Sequence, residues 1–148
     1  MLSVQQLLDR KPKGIFSVKP DEPVFAAIQK MAEHHVGALL VMVGDRLAGI
    51  VSERDYARKV VLLGRSSSET PVSDIMVRNV ITTDIGKTFA DCLKLMHSHG
   101  VRHLPVTENG VAVAVISVRD LLGEAVAHHA KVIGELELER LTMLTSTA

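Results

Sequence analysis

The sequence contains no tryptophan, one cysteine and few aromatic residues, and each scarcity excludes a class of protein. Cys92 cannot form an internal disulfide, which fits a reducing compartment and predicts a cytoplasmic protein. Aromatic residues make up 3% of the chain, too few for the stacking surfaces that bind single-stranded nucleic acid. Because Lys plus Arg and Asp plus Glu each total 17, the sequence also lacks the basic excess of nucleic-acid-binding proteins.

Long apolar runs are absent as well. The longest, near residues 38–43 and 60–63, are far too short to cross a bilayer. The first nine residues lack the charged leader and apolar stretch of a secretory signal. We therefore expect neither a nucleic-acid partner nor membrane association, and a chain of 148 residues suits one compact domain with its own core.

What the sequence does contain is an internal repeat. Residues 16–56 return without a gap, 65 positions later, as residues 81–121. The matched polar positions are His34 with His99, Ser52 with Ser117, Arg54 with Arg119, and Asp55 with Asp120. Two copies without a third predict a closed two-fold pair rather than an open solenoid. Such a pair tends to form its ligand-binding cleft between the copies.

Each copy is predicted to fold as strand, helix, strand, strand, helix. The first copy has a short strand at 16–18, a helix over Val24 to Met31 that Gly37 ends, strands at 38–43 and 47–51, and a helix from 53 to about 63. The second copy repeats this order, with a strand at 81–83, a helix over 89–96 that Gly100 ends, a hairpin around Asn109-Gly110, and a helix from Val118.

These patterns divide the chain into five segments. They are an N-terminal segment (1–14), the first repeat (15–63), a linker and connector (64–79), the second repeat (80–125), and a C-terminal helix and tail (126–148). Residues 64–71 are small and polar, which is typical of a linker. Residues 72–76 predict a short connector helix, with residues 2–8 as its counterpart before the first repeat. We expect the tail to be helical over 135–140 and frayed beyond.

Each repeat ends its strand pair with a Ser-x-Arg-Asp motif, at Ser52 to Asp55 and at Ser117 to Asp120. The structural explanation is a capping box, in which Ser and Asp satisfy backbone amides at a helix start. The functional explanation is ligand binding, because a helix N-terminus favours phosphate and an acidic side chain can accept hydrogen bonds from ribose hydroxyls. The two roles are compatible.

The order of elements, the doubled Ser-x-x-Asp and the segment from Val101 to Val106 resemble a tandem cystathionine-β-synthase (CBS) domain pair, the Bateman module, in a stand-alone form. The resemblance covers roughly residues 15–122. It implies an α/β fold of two β-α-β-β-α repeats packed as a pseudo-two-fold pair. It also implies a non-catalytic module that binds adenosine-bearing ligands in two clefts between the repeats. AMP is the first choice, and ATP, ADP, NAD(H) and S-adenosylmethionine are the alternatives.

The resemblance further implies that each cleft takes residues from both repeats. The first cleft would contain Ser52, Arg54 and Asp55 with Thr82, Thr83, Val101, Arg102, His103 and Pro105. The second would contain Ser117, Arg119 and Asp120 with Ser17, Val18, Val36, Gly37 and Ala38. In this assignment the Asp holds the ribose, the backbone near Val18 or Thr83 meets the adenine, and Arg102 and His103 bind phosphate.

The two copies differ in ways that predict unequal clefts. Gly37-Ala38 in the first repeat stands where the second has Arg102-His103, so the clefts cannot be equally cationic. Gly49 stands where the second repeat has Ala114, which is expected to crowd one cleft slightly.

Other chemistries receive less support from the sequence. The seven histidines invite a metal site, but His34 and His99 are explained by their place in the last turn of matched helices, and we predict no metal. Cys92 is predicted to be a buried structural thiol. No phosphate loop or nucleophile elbow is present, so we predict no enzyme.

We therefore predict a regulatory module that signals energy or redox state to an unidentified effector protein. The alternative is a structural or dimerisation module without a physiological ligand. A homodimer is expected, with candidate helix faces at residues 24–31, 56–63, 89–96 and 121–130.

Overall fold

The computed structural model describes residues 2–10 and 14–146. Its helices are α1 (Val4–Arg10), α2 (Val24–His34), α3 (Glu53–Tyr56), α4 (Phe89–His99) and α5 (Val118–Ser146). Its strands are β1 (Ser17–Val18), β2 (Ala38–Val43), β3 (Arg46–Ser52), β4 (Thr83–Asp84), β5 (His103–Glu108) and β6 (Val111–Ser117). Helix α3 continues as a π-helical turn, Ala57–Val61, and a 3₁₀ turn, Val72–Asp74, lies between the repeats.

Each repeat builds one three-stranded sheet, and the two sheets have the same topology. The orders are β1-β2-β3 and β4-β5-β6, with the first pair parallel and the second antiparallel in both. Val18 pairs with Val41 and Thr83 pairs with Val106, so the registers match at the offset of 65. The predicted α/β fold of two β-α-β-β-α repeats is confirmed, although β4 begins at Thr83 instead of residue 81.

The apolar faces of each repeat form a separate core. The first core contains Met31, Leu39 and Val41, and the second contains Met96, Leu104 and Val106, all of them buried. The two sets occupy matched positions in the repeats. Within each repeat these residues face one side, because alternate strand residues and residues one helical turn apart do so.

The segments that precede the repeats are exchanged between the cores. Val4 and Leu7 of α1, which precede the first repeat, pack into the second core. Val72 and Ile75 of the connector, which precede the second repeat, pack into the first core. The backbone contacts match as well, since Val4 N–H donates to the Lys87 carbonyl and Val72 N–H to the Glu22 carbonyl. The prediction that the two segments are counterparts is confirmed. Helix α1 completes the core of the second repeat, and the connector completes the core of the first.

The linker is a capping segment rather than a loose tether. Pro23, at the N-cap of α2, offers no side-chain hydrogen bond to the helix. The Val24 and Phe25 amides donate instead to the carbonyls of Thr70 and Ser67 at 2.9 Å. Linker residues therefore satisfy amides that a helix start leaves without internal partners.

The first long helix ends earlier than predicted. Gly37 does not end α2; His35 does, in the left-handed conformation with φ of 55°. Gly100 ends α4 in the same conformation at the matched position, as predicted. The left-handed region favours glycine, so a histidine there is a departure that the sequence pattern did not indicate.

Helix α5 is continuous over 29 residues and joins the second repeat to the tail. The helical segment predicted at 135–140 is confirmed. The prediction that the chain is frayed beyond it is wrong for residues 141–146, which are helical. The last two positions of the predicted frayed end lie outside the described residues. Within the part of the chain that the structure describes, no helix combines the length and apolar content needed to span a bilayer.

Candidate functional site

Both Ser-x-Arg-Asp motifs form complete capping boxes. The Ser52 hydroxyl accepts from the Asp55 amide at 3.1 Å, and Asp55 Oδ2 accepts from the Ser52 amide at 2.9 Å. Ser117 and Asp120 make the same pair of bonds at 3.1 and 2.9 Å. The capping role predicted from the spacing is therefore confirmed, and it fixes both carboxylates at matched points of the two repeats.

Each motif lies beside the segment that leads into the central strand of its own repeat. Ser52 pairs with Ala38 and Ser117 pairs with His103 in the antiparallel ladders. One residue further, the Glu53 amide donates to the Gly37 carbonyl at 3.0 Å, and the Val118 amide donates to the Arg102 carbonyl at 2.9 Å. The predicted site residues Gly37, Ala38, Arg102 and His103 are thus joined to the helix starts by backbone hydrogen bonds.

The two repeats approach each other at these same segments. A Cβ placed on Gly37 would lie 3.6 Å from His103 Nε2 and 4.0 Å from Glu53 Oε2. The imidazole of the second repeat therefore lies next to the first repeat's pre-strand glycine and helix start, and β3 also contacts β6. Arg102 is exposed. Its assignment to the cleft of Asp55 stays a prediction.

The predicted adenine-contacting residues on the first strands are largely committed to the fold. Val18 and Thr83 are buried, and the Thr83 hydroxyl contacts Cys92 Sγ at 3.6 Å. The Thr83 carbonyl accepts from the Thr107 hydroxyl at 3.2 Å, and the Ser17 carbonyl accepts from Lys30 Nζ at 2.6 Å. The side chains of Val18 and Thr83 are therefore not exposed to a ligand.

The remaining predicted site residues differ in exposure. Thr82, Arg54 and Arg119 are exposed. Val36 and Val101 are half-buried and pack against the first and second cores, respectively. Pro105 is buried within β5, opposite Val115.

A lysine that the sequence analysis did not single out forms an ion pair with the first motif. Lys59 Nζ lies 3.1 Å from Asp55 Oδ1 and also donates to the Ile75 carbonyl at 2.8 Å. The matched position in the second repeat is Glu124, which pairs with Arg10 of α1 at 2.7 Å. The four-residue spacing between Asp55 and Lys59 on one helix was the signal that could have revealed this pair.

Two titratable groups outside the motifs have shifted pKa values. Hydrogen bonds from the Thr88 backbone and side chain, in the capping box of α4, lower the pKa of Asp91. Burial raises the pKa of the Cys92 thiol, which fits the predicted buried structural cysteine. Among the described residues, no group of three or more His, Cys, Asp or Glu side chains could hold a metal ion. His34 stacks on Phe16, with ring centroids 3.8 Å apart.

Comparison with known proteins identifies the family. The CBS domain matches residues 6–62 and 72–127. This chain belongs to the CBS domain family. The second match begins at the connector residue Val72, and the first begins within α1 and includes Leu7.

Proteins that contain CBS domains match this chain over most of its length. The CBS domain-containing protein CBSX3, mitochondrial, of Arabidopsis thaliana is 36% identical over 126 residues, which is 82% of this chain and 59% of that protein. A protein with CBS domains from Burkholderia ambifaria is 44% identical, with a TM-score of 0.82 over 84% of this chain and 94% of that one. The CBS-domain containing protein from Agrobacterium tumefaciens is 31% identical, with a TM-score of 0.79 over 83% and 98%. The chain spans about three-fifths of the length of CBSX3.

Proposed function

We propose that the protein is a non-catalytic regulatory module that binds an adenine nucleotide in clefts between its two CBS repeats. The observation that carries this proposal is that His103 of the second repeat lies beside Gly37, whose carbonyl accepts a hydrogen bond from the start of the helix that Ser52 and Asp55 cap. The relative from Burkholderia ambifaria is provisionally named a signal-transduction protein, which is consistent with a regulatory role.

The predicted site residues suit separate parts of a nucleotide. Asp55 and Asp120 would accept hydrogen bonds from ribose hydroxyls, and Arg102 and His103 would bind phosphate. The backbone near Val18 and Thr83 would contact the adenine. AMP is the first choice, with ATP, ADP, NAD(H) and S-adenosylmethionine as alternatives. Nucleotide occupancy of the clefts would report energy or redox state to a separate effector protein. The cytoplasmic location of the protein stays a prediction.

The second candidate function is a structural or dimerisation module without a physiological ligand. Two observations favour it. The capping boxes are complete without a ligand, and exposed apolar side chains include Leu62, directly after the π-helical turn, and Val126 on α5. The two functions make opposite predictions for the motif carboxylates, which a charge-neutral substitution can distinguish.

The test is calorimetric titration of AMP into Asp55→Asn, Asp120→Asn and Arg102→Ala. A ribose role predicts binding weaker by about 1.5–3 kcal/mol, tenfold or more, in the affected cleft alone. A pure capping role predicts a stability loss of order 1 kcal/mol without a change in binding. Asp45→Asn, in the exposed turn between β2 and β3, is the matched control and should bind like the wild type.

The same titration tests the assignment of residues to clefts. Asp55→Asn and Arg102→Ala should impair one common site, and Asp120→Asn should impair the other. If Arg102→Ala behaves like Asp120→Asn instead, the cross-repeat assignment is wrong. If all three variants bind AMP like the wild type, the motifs are caps alone and the assignment of these residues to the clefts is overturned. If the wild type does not bind AMP or the alternative ligands, the proposed function is overturned.

A further inference from the structure

Lys59 connects the first motif to the segment between the repeats. Its ammonium lies 3.1 Å from Asp55 Oδ1 and donates to the Ile75 carbonyl at 2.8 Å. Ile75 is buried in the first core with its connector neighbours Val72 and Met76. One side chain therefore contacts both a candidate ligand-binding carboxylate and the connector backbone.

The two carboxylate oxygens of Asp55 are not equally available to a ligand. Oδ2 accepts from the Ser52 amide and from the Ser52 hydroxyl, both at 2.9 Å. A carboxylate oxygen offers about two lone-pair sites, so Oδ2 has little capacity left. A ribose diol that binds Asp55 must therefore use Oδ1, where the Lys59 ammonium occupies one of about two acceptor sites. Both ribose hydroxyls can bind Oδ1 only when the ammonium leaves.

The residue at the position matched to Lys59 carries the opposite charge in the second repeat. The position matched to Lys59 is Glu124, whose carboxylate pairs with Arg10 of α1 at 2.7 Å. A glutamate cannot donate a hydrogen bond to the carboxylate of Asp120. The contact that Lys59 makes with its motif is therefore not available to the residue at the matched position of the second repeat.

We propose that Lys59 couples ligand occupancy at Asp55 to the connector. Ribose hydroxyls displace the ammonium from Oδ1, and a lysine that has lost this partner holds the Ile75 carbonyl less firmly. This inference rests on the proposed function, since it needs a ribose at Asp55. The ribose hydroxyls and the Lys59 ammonium compete for Asp55 Oδ1. The ligand therefore interacts differently with the two positions of Lys59, as any ligand-driven change requires.

The connector is well placed to transmit such a change. Val77, two residues after Ile75, exchanges two backbone hydrogen bonds with Ile50 of β3, at 3.0 and 2.9 Å. Strand β3 contacts β6 of the other repeat and ends at Ser52 of the motif. A loosened connector therefore affects the strand at which the two repeats meet.

The test compares Lys59→Met with the wild type, using adenosine and 2′-deoxyadenosine as calorimetric probes. Methionine keeps an unbranched side chain and removes the competing charge. We expect Lys59→Met to bind adenosine about twofold to fivefold more tightly, the range set by a partly exposed ion pair. The gain should be smaller for 2′-deoxyadenosine, which lacks one of the competing hydroxyls. A purely structural role for Lys59 predicts weaker or unchanged binding.

Arg58→Met is the matched control, because Arg58 is the exposed neighbour of Lys59 and carries the same charge. This variant should bind adenosine like the wild type. A gain equal to that of Lys59→Met would show a general charge effect and would overturn the coupling.

Hydrogen exchange measures the connector directly. The amides of Ile75, Met76 and Val77 are hydrogen-bonded and should exchange faster in ligand-free Lys59→Met than in the ligand-free wild type. Adenosine should accelerate their exchange in the wild type and leave it unchanged in the variant. An equal ligand effect in both proteins, or no gain in adenosine affinity, overturns the coupling while the proposed function stands. If the wild type binds neither adenosine nor AMP, the proposed function fails and the coupling fails with it.

Discussion

Position 49 requires a glycine because the connector backbone passes close to it. A Cβ at this position would lie 2.8 Å from the Val77 carbonyl oxygen and 2.9 Å from Met76 Sδ. The backbone cannot shift freely, because the adjacent Ile50 is hydrogen-bonded to Val77. The glycine is therefore required by the connector, and this contact accounts for the difference from Ala114 without reference to the size of a cleft.

We predict that Gly49→Ala destabilises the protein by about 1–3 kcal/mol, the usual cost of overpacking. The measurement is the free energy of unfolding from denaturant titration. Ala114→Gly is the matched control in the second repeat and should cost no more than about 1 kcal/mol, the entropy penalty of a glycine in a strand. A Gly49→Ala protein within about 0.5 kcal/mol of the wild type, the range of a neutral surface substitution, would contradict this reading.

Residue roles that depend on spacing could be predicted, and roles that depend on a distant partner could not. The helix caps Ser52 and Ser117 follow from a four-residue pattern, which the structure confirms. The left-handed His35 was missed because Gly37, two residues later, is the stronger helix-ending signal. The contacts of Lys30 and Lys59 with backbone carbonyls depend on chain segments 13 and 16 residues away, which no local pattern contains.

At the scale of elements, α1 and the connector match each other at a sequence offset that differs from the offset of the repeats. Val4 and Leu7 match Val72 and Ile75 at 68 residues, whereas the repeats match at 65. Their position before the two repeats predicted both segments as counterparts. It could not predict which core each one enters, because a buried face in a sequence does not name its partner.

We predict that Leu7→Ala destabilises the second repeat, although Leu7 precedes the first. Loss of a buried leucine side chain should cost about 2–5 kcal/mol. In hydrogen exchange, the loss of protection should be larger in β5 and β6 than in β2 and β3. Ile75→Ala is the matched variant and should show the reverse. Larger losses in β2 and β3 for Leu7→Ala would contradict the exchange of segments.

At the scale of the whole molecule, exposed apolar side chains lie on α2, directly after the π-helical turn and on α5. Phe25, Leu62 and Val126 are each more than half exposed. The dimerisation face predicted at residues 24–31 is narrower than expected, because Val24 and Met31 are buried in the first core. Phe25 is the large apolar residue that this segment exposes.

We predict a homodimer at micromolar concentration, because a two-fold pair would cover these side chains and is the commonest soluble assembly. Sedimentation velocity is the measurement. Leu62→Glu and Val126→Glu should shift the protein toward the monomer. Leu138→Glu, at an exposed position of α5 outside the predicted faces, is the control and should not. A wild-type protein that sediments only as a monomer, with and without AMP, would contradict the prediction.

The binding of an adenine nucleotide is tested most directly by thermal unfolding with a panel of ligands. At one hundred times its Kd, a ligand that binds only the folded state adds about 2.7 kcal/mol of stability. For a chain of this length, AMP should then raise the Tm by about 5–10 °C, and GMP and CMP should raise it much less. An unchanged Tm with AMP, ADP, ATP, NADH and S-adenosylmethionine would contradict nucleotide binding and favour the structural module.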